Sequence, residues 1–396
     1  MFQQPVYLDN NATTACDPRV VETMLPYFSQ LYGNAASRSH AYGWAAAEAV
    51  DYAREQVASL VGAVKQEIIF TSGATEAINL AIKGVYEMYA GKGNHIITVS
   101  TEHKAVLDTC SHLARKGASI TWLPVKADGL IDLHELEAAI TPKTILVCVM
   151  YANNETGVIQ PVEEISAIAR KHQVIFMSDA TQAVGKIPVN VQTSGIDLLA
   201  LSAHKFYGPK GVGALYVRRK DPRVRLAAQL DGGGHERGMR SGTLNVPGIV
   251  GLGKASELAM MEMEEDIKRI LPLRDKLENA LLQLEQTYRN GHPVHRLPHT
   301  CNLSFSYLES EVLMMTFNKK IALSSGSACT SASMEPSHVL KAMGLSDEMA
   351  YASLRFGLSR FTTEEEIDFA IQTMIEGVNE LRNRSIAWEL YKDSLS

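Results

Sequence analysis

Five short runs in the first half of the chain are apolar, and largely β-branched, at nearly every position. They are Glu67-Ile-Ile-Phe70, His95-Ile-Ile-Thr-Val99, Thr144-Ile-Leu-Val-Cys-Val-Met150, Val174-Ile-Phe-Met177 and Asp197-Leu-Leu-Ala-Leu201. Runs with so little polar alternation predict strands covered on both faces. Between them lie stretches of helical periodicity: Glu76 to Tyr89, His103 to Lys116, Leu133 to Ile140 and Val162 to Lys171. These often open at Ser, Thr or Asp and close near Gly or a basic residue, as helix ends do. Strand and helix in alternation predict an α/β fold built on a mostly parallel sheet. Past Gly248 the pattern changes to a long helical stretch, Ile249 to Leu284. Short strand-like pieces follow (Asn302-Leu-Ser-Phe305, Ile321-Ala-Leu323), then a final helix from Glu364. This predicts a second, smaller α+β domain.

The length agrees, because 396 residues exceed the ~250 to 300 that one core organises. Hydrophobic residues at 46% and charged residues at 21% exclude a disordered or collagen-like chain. Lys+Arg 38 against Asp+Glu 44 gives a net charge of -6. No basic field therefore invites nucleic acid or an anionic membrane, and a small-molecule partner is expected. No apolar stretch approaches the ~20 residues of a membrane span, and Met1 to Pro5 lacks a basic flank leading into an apolar core, so a cytoplasmic protein is expected. The five cysteines, Cys16, Cys110, Cys148, Cys301 and Cys329, are scattered without a C-x-x-C pair. Neither a disulfide framework nor a bound metal is expected.

Ligands of open α/β sheets bind outside the carboxyl ends of the strands, so the polar residues that follow the buried runs matter most. Thr71-Ser-Gly-Ala-Thr-Glu76 is a glycine-containing turn into a helix, suited either to a phosphate at the helix N-terminus or to plain capping by Ser72 or Thr75. Ser178-Asp179-Ala-Thr-Gln182 puts a carboxylate and an amide at the next exit, with helix capping again the alternative. Ser202-Ala-His-Lys205-Phe-Tyr-Gly208 puts a lysine directly after a buried run, where a solvated surface lysine is the ordinary expectation. An aspartate at one strand end and a lysine 26 positions later (205 minus 179) at the next are what pyridoxal 5'-phosphate (PLP) requires. The amine forms a Schiff base, and the carboxylate keeps the pyridine nitrogen protonated.

On these segments, together with Tyr7-Leu-Asp-Asn-Asn-Ala-Thr-Thr14, Thr101-Glu-His-Lys104, Asn153-Asn-Glu-Thr-Gly157, Gly232 to Thr243 and Ser324 to Ser333, the chain resembles the cysteine desulfurases of the NifS/IscS group. These are PLP enzymes of fold-type I, and the likeness covers almost the whole length. The resemblance implies a large PLP-binding domain over 14–261, and a small domain made of 1–13 and 262–396 that carries the catalytic cysteine loop. It makes Lys205 the Schiff-base lysine, Asp179 the partner of the ring nitrogen and Gln182 that of the ring hydroxyl. Thr75, Ser202 and His204 would form the phosphate cup, joined by Thr243 from the other subunit of a homodimer, and Ala74 would also contact the cofactor. His103 would stack on the ring and assist as acid and base; taken alone it is an inconsequential helix-start histidine. Arg355 would grip the α-carboxylate of L-cysteine with help from Asn34 and from Asn154, which would bind the cofactor as well, although a surface salt bridge is the ordinary role of such an arginine and Arg360 is easily confused with it.

The resemblance makes Cys329, in a run of small residues, the nucleophile that takes sulfur as a persulfide and leaves L-alanine. Cys148, inside an apolar run, is expected to be a buried small hydrophobe. The sulfur would pass to an iron-sulfur scaffold or another acceptor protein, and possible uses include tRNA thiolation. Alternatives are a selenocysteine lyase, another fold-type I PLP enzyme such as an aminotransferase, and a non-catalytic sulfur-relay platform. The chain mixes features of the nitrogen-fixation and housekeeping branches. It also ends at Ser396, where housekeeping relatives continue into a tail that helps dock the scaffold, so weaker scaffold docking is expected.

Overall fold

The computed structural model describes residues 4–325 and 336–395. The chain begins in a two-residue strand, β1 (Val6–Tyr7), and runs through the helix Ala41–Leu60 into a seven-stranded sheet. The strands are β2 (Ile68–Thr71), β3 (His95–Val99), β4 (Ser119–Leu123), β5 (Thr144–Cys148), β6 (Ile175–Asp179), β7 (Leu198–Ser202) and β8 (Gly213–Val217). Their order is β2-β8-β7-β6-β5-β3-β4. Only β8 runs antiparallel to its neighbours, so the sheet is mostly parallel, as expected.

All five apolar runs are strands of this sheet, and the reason they lack polar alternation is visible. Successive side chains of a strand point to opposite faces. Phe176 and Leu199 enter one core with Val57 and Leu252, while Ile175, Met177 and Leu198 enter another with Ile78, Leu80 and Val106. Helices cover both faces. Edge strand β4, by contrast, is exposed or half-buried over most of its length, and its mixed composition hid it from the periodicity.

The other edge strand, β2, is closed by charge. Arg54 donates to the Ile68 carbonyl at 2.8 Å, and the Phe70 amide donates to Glu236 Oε2 at 2.7 Å. Arg54 and Glu236 form a two-pronged ion pair, both bonds 2.7 Å, with Arg54 lying over the Phe70 ring. Edge groups that would invite another strand are thereby satisfied. Because both side chains are buried, Glu236→Ala strands a buried guanidinium and the Phe70 amide. We expect it to cost about 3 to 5 kcal/mol, read as the shift of the urea unfolding midpoint. A loss below about 1 kcal/mol would mean that the pair is not desolvated as drawn.

The helix Val246–Leu281, capped by the Asn245 side chain, which accepts the Gly248 amide, begins three residues before the expected Ile249. Its first turns pack Ile249 and Leu252 into the main core, and its last turns place Ile270, Leu277 and Leu281 in a second core with Leu8, Phe305, Phe317, Phe356 and Met374. β10 (Thr300–Phe305), β11 (Ile321–Ala322) and β12 (Ser353–Gly357) contribute to that second core, and β9 (Thr287–Arg289) lies beside β10. β12, β10 and β9 form an antiparallel sheet, whereas β11 pairs with β1. The expected helix from Glu364 is present over Glu364–Asn383 and starts in a capping box between Thr363 and Glu366.

Candidate active site

β2, β3, β5, β6 and β7 all end on one edge of the sheet, and a cavity of about 560 Å³ opens there. Each exit contributes to its wall: Ala74 and Thr75 after β2, His103 after β3, Asn154 after β5, Asp179 and Gln182 at β6, Ser202, His204 and Lys205 at β7. Arg355 reaches in from β12. Residues from Ala74 to Lys205 thus meet because parallel strands bring their exits to one edge, and Arg355 is brought to them by the second sheet.

Lys205 closes a 3-10 turn, Ala203–Lys205, directly after β7. Its Nζ donates to the carbonyls of Asn11 and Ala12 at 2.6 and 2.7 Å. The turn is braced two residues on, where Tyr207 adopts a φ of 67°, a left-handed conformation costing roughly 1–2 kcal/mol. The Tyr207 amide donates to Thr14 Oγ1, and its hydroxyl accepts from Lys186 Nζ and the Arg360 amide, each at 2.8 Å. The surface-lysine alternative therefore does not hold.

Asp179, the last residue of β6, is buried and accepts the Thr181 amide at 3.0 Å. It caps that turn and lines the cavity at once. Gln182 donates to the Asn11 carbonyl at 2.9 Å, the same oxygen that receives Lys205. Burial, with Lys205 and Lys210 nearby, pushes His204 down to about 4. A neutral imidazole with one N–H therefore faces the cavity rather than a cation.

The helix Ala74–Met88 starts at Gly73 without a side-chain cap, so capping by Ser72 or Thr75 is not what the sequence there serves. Glu76 Oε2 accepts the Ser72 amide at 2.8 Å and its other oxygen accepts from Arg240 at 2.6 Å. Burial opposes the charge on Glu76, yet Arg240 and Ser72 hold its carboxyl below the usual range. The turn sits close on the sheet because position 213 is glycine: a Cβ there would lie 2.8 Å from Gly73 Cα and 2.5 Å from the Leu201 carbonyl oxygen.

His103 is both things the sequence suggested, a helix start and a wall of the cavity. Its Nδ1 accepts the Ala105 amide at 3.1 Å, so a neutral ring carries its proton on Nε2. Arg355 is not on the surface: it is buried, bonded to the Asn154 carbonyl at 3.0 Å and to Asp9 at 2.8 Å. Its Nε has no hydrogen-bond partner among the described residues. Arg360 instead joins Asp17, Glu262 and Asp266, which separates the two arginines.

Asn34 and Thr243 are exposed and do not line this cavity within one chain. Cys329 lies outside the described residues. The wall contributions of Asn11, Ala12 and Thr13 were not drawn from the sequence. Two of them act through backbone carbonyls, which a reading of side chains passes over.

The wall fits PLP. It offers an amine, a carboxylate, an uncapped helix N-terminus and the buried Thr181 hydroxyl, which has no partner among the described residues. The aminotransferase class-V family model matches residues 6–369, and the chain belongs to that family of α/β, PLP-dependent enzymes. A protein named cysteine desulfurase IscS from Anaeromyxobacter dehalogenans (strain 2CP-C) is 57% identical, covering 99% of this chain and 96% of the relative. Its namesake from Shewanella sp. (strain ANA-3) is also 57% identical, over 99% and 97% of the two chains. A solved NifS-like protein superposes with a TM-score of 0.88 at 39% identity, covering 95% of this chain and 99% of its own. Within the class V family, then, the chain is a member of the NifS/IscS cysteine desulfurases.

Proposed function

We propose that this enzyme, a PLP-dependent cysteine desulfurase, converts L-cysteine to L-alanine through a persulfide on Cys329. The observation that carries the proposal is the convergence of Lys205, Asp179 and Arg355 on one cavity at the carboxyl edge of the sheet. When bound, PLP supplies an aldehyde that links to an amine and a ring that withdraws electrons from the substrate Cα. Lys205 would hold that aldehyde and would move the Cα proton of the substrate. Asp179 keeps a proton on the ring nitrogen, and Gln182 bonds the ring hydroxyl. The phosphate is held by Thr75, Ser202 and His204, with Thr243 from the other subunit, and Ala74 also contacts the cofactor. His103 covers the ring and passes protons through Nε2. Arg355, with Asn34 and Asn154, takes the α-carboxylate.

The Cys329 thiolate attacks the substrate sulfur. An S–S bond forms, the Cβ–S bond breaks with its electron pair passing to Cβ, and protonation completes L-alanine. Support comes from the other four cysteines. Burial pushes Cys110 and Cys301 up to about 12 and raises Cys148 and Cys16 above the ordinary thiol value. Cys148 is the buried small hydrophobe expected of it.

The same reading divides the chain into a large domain, 14–261, and a small one, 1–13 with 262–396. It makes the protein a cytoplasmic homodimer, for which the exposed rings of Phe28, Tyr32, Tyr42 and Trp44 offer apolar surface. Iron-sulfur cluster assembly is the proposed use of the sulfur, delivered to a scaffold or other acceptor protein.

The deciding experiment is L-cysteine with a thiol reductant and no keto acid, with alanine and sulfide quantified together. Equal yields support desulfuration, and a keto-acid requirement would point to an aminotransferase. Asp179→Ala should retain less PLP and turn over more slowly by about 10² or more, measured as bound cofactor and initial alanine rate. Parental values for both would move the ring-nitrogen role to another residue.

A further inference from the structure

Residues 153–157 form a hub beside the cavity. The Asn153 side chain accepts the amides of Glu155 and Thr156 at 2.9 Å and donates to the Thr101 carbonyl at 3.0 Å. Asn154 offers its carbonyl to Arg355. Glu155, between them in role, is buried and points its carboxyl at Ser337.

Ser337 starts the helix His338–Ala342 and accepts the Leu340 amide at 3.2 Å. A hydroxyl has one hydrogen, and Ser337 gives it to Glu155 Oε2 at 2.5 Å. The next residue, His338, directs Nε2 to the Glu102 carbonyl oxygen at 3.0 Å. Ser337 stands eight positions after Cys329 (337 minus 329). On the other side of Cys329, the Ser324 carbonyl accepts the Arg355 amide at 2.8 Å. The chain on both sides of the proposed nucleophile is thus tied to the wall that contains Arg355.

We infer that Glu155 is a positioning residue of desulfuration: through Ser337 it fixes where the cysteine-bearing chain rejoins the fold, in register with Arg355. The inference rests on the assignment of Cys329 and Arg355 given above. Glu155 touches neither substrate nor cofactor in this role. It holds Ser337, eight positions after Cys329, against the wall that contains Arg355.

The charge state of Glu155 matters to that bond. Burial pushes its carboxyl up to about 7, against the pull of Ser337, Arg355 and His103. Arg355, itself paired with Asp9, acts on it from β12, and His103 acts on it from the exit of β3. His338 stands behind Ser337 and is held low by burial. Above about pH 7 Glu155 is a carboxylate, and its bond to Ser337 is charge-assisted and roughly twice as strong as a neutral one. Below that pH the acid is neutral and the anchor weakens, so kcat is expected to decline as pH falls through about 7.

The test uses the full-length PLP enzyme and the variants E155Q, E155A, S337A and E155A/S337A. We expect E155A and S337A each to lower kcat for alanine by roughly tenfold, about 1.4 kcal/mol, with KM for L-cysteine changed less than about threefold. The double variant should be no worse than the poorer single one, because both remove one interaction. E155Q should recover most of kcat, since an amide oxygen still accepts from Ser337, but should lose the pH inflection near 7. In PLP-free protein, alkylation of Cys329 by iodoacetamide should change in rate with E155A and S337A to the same extent.

Parental kcat in E155A and S337A, additive losses in the double variant, or an unchanged inflection in E155Q would each overturn the inference. So would a rise in KM alone, which would place Glu155 in substrate binding. Should E155A fail to fold, S337A and E155Q carry the same comparisons. If the parent enzyme makes no alanine, the desulfurase reading fails instead, and the alkylation arm separates that outcome.

Discussion

Lys205→Ala should lower alanine formation by at least about 10³ while leaving the protein folded and still able to bind some PLP. The lysine does two things in the proposed chemistry, holding the aldehyde and moving the Cα proton, so its loss removes both together. The fold should survive because Nζ bonds the Asn11 and Ala12 carbonyls at the cavity wall, where water can replace it. The Tyr207 brace to Thr14, Lys186 and Arg360 stays in place. PLP should still be retained in part through the Thr75, Ser202 and His204 side, without the visible band of a lysine-linked aldehyde. Absorbance, cofactor content and alanine rate measured on one preparation decide it. Turnover within about tenfold of the parent would move the lysine role elsewhere, with Lys210, which also lines the cavity, the first place to look.

How far the sequence alone reached can be traced through particular elements. β5, β6 and β7 were legible because a strand buried on both faces has no freedom to carry polar residues. β4 was not, because Ser119–Leu123 lies at the edge and is exposed or half-buried at four of its five positions, so its composition is free to be mixed. β1 is two residues long, and its existence depends on β11 more than 300 positions away; no local pattern encodes such a pairing.

Site residues follow the same logic. Asp179 and Lys205 stood out because they directly follow buried runs. Arg355 could not be told from Arg360 by spacing, and only the packing separates one bonded to Asp9 beside the cavity from one bonded to Glu262 and Asp266. Asn34 and Thr243 came from family resemblance, and one chain alone does not bring them to the cavity. Glu155 sat unremarked inside a quoted motif, since its role depends on Ser337, 182 positions later.

Cys329→Ser should abolish the protein persulfide and nearly all alanine output under reductant, while cofactor content and the visible spectrum before substrate stay parental. The reasoning is one of thiolate supply. A thiol with a pKa near 12, as Cys110 and Cys301 have, is ionised in only about one molecule in 10⁴ at pH 8. Cys148 is buried in β5 beside Met177 and is pushed up further by Glu102. None of these three is expected to stand in for the lost nucleophile. Cys16 is the exception to watch, since it is only partly buried, although burial and Asp17 still raise it. Cys16→Ser therefore serves as the control and should keep full persulfide yield. Mass spectrometry of peptides after one turnover without reductant locates the added sulfur. Its appearance on Cys16, Cys110, Cys148 or Cys301 in the Cys329→Ser protein, at parental yield, would refute the assignment of the nucleophile while leaving the PLP site and its Lys205 test untouched.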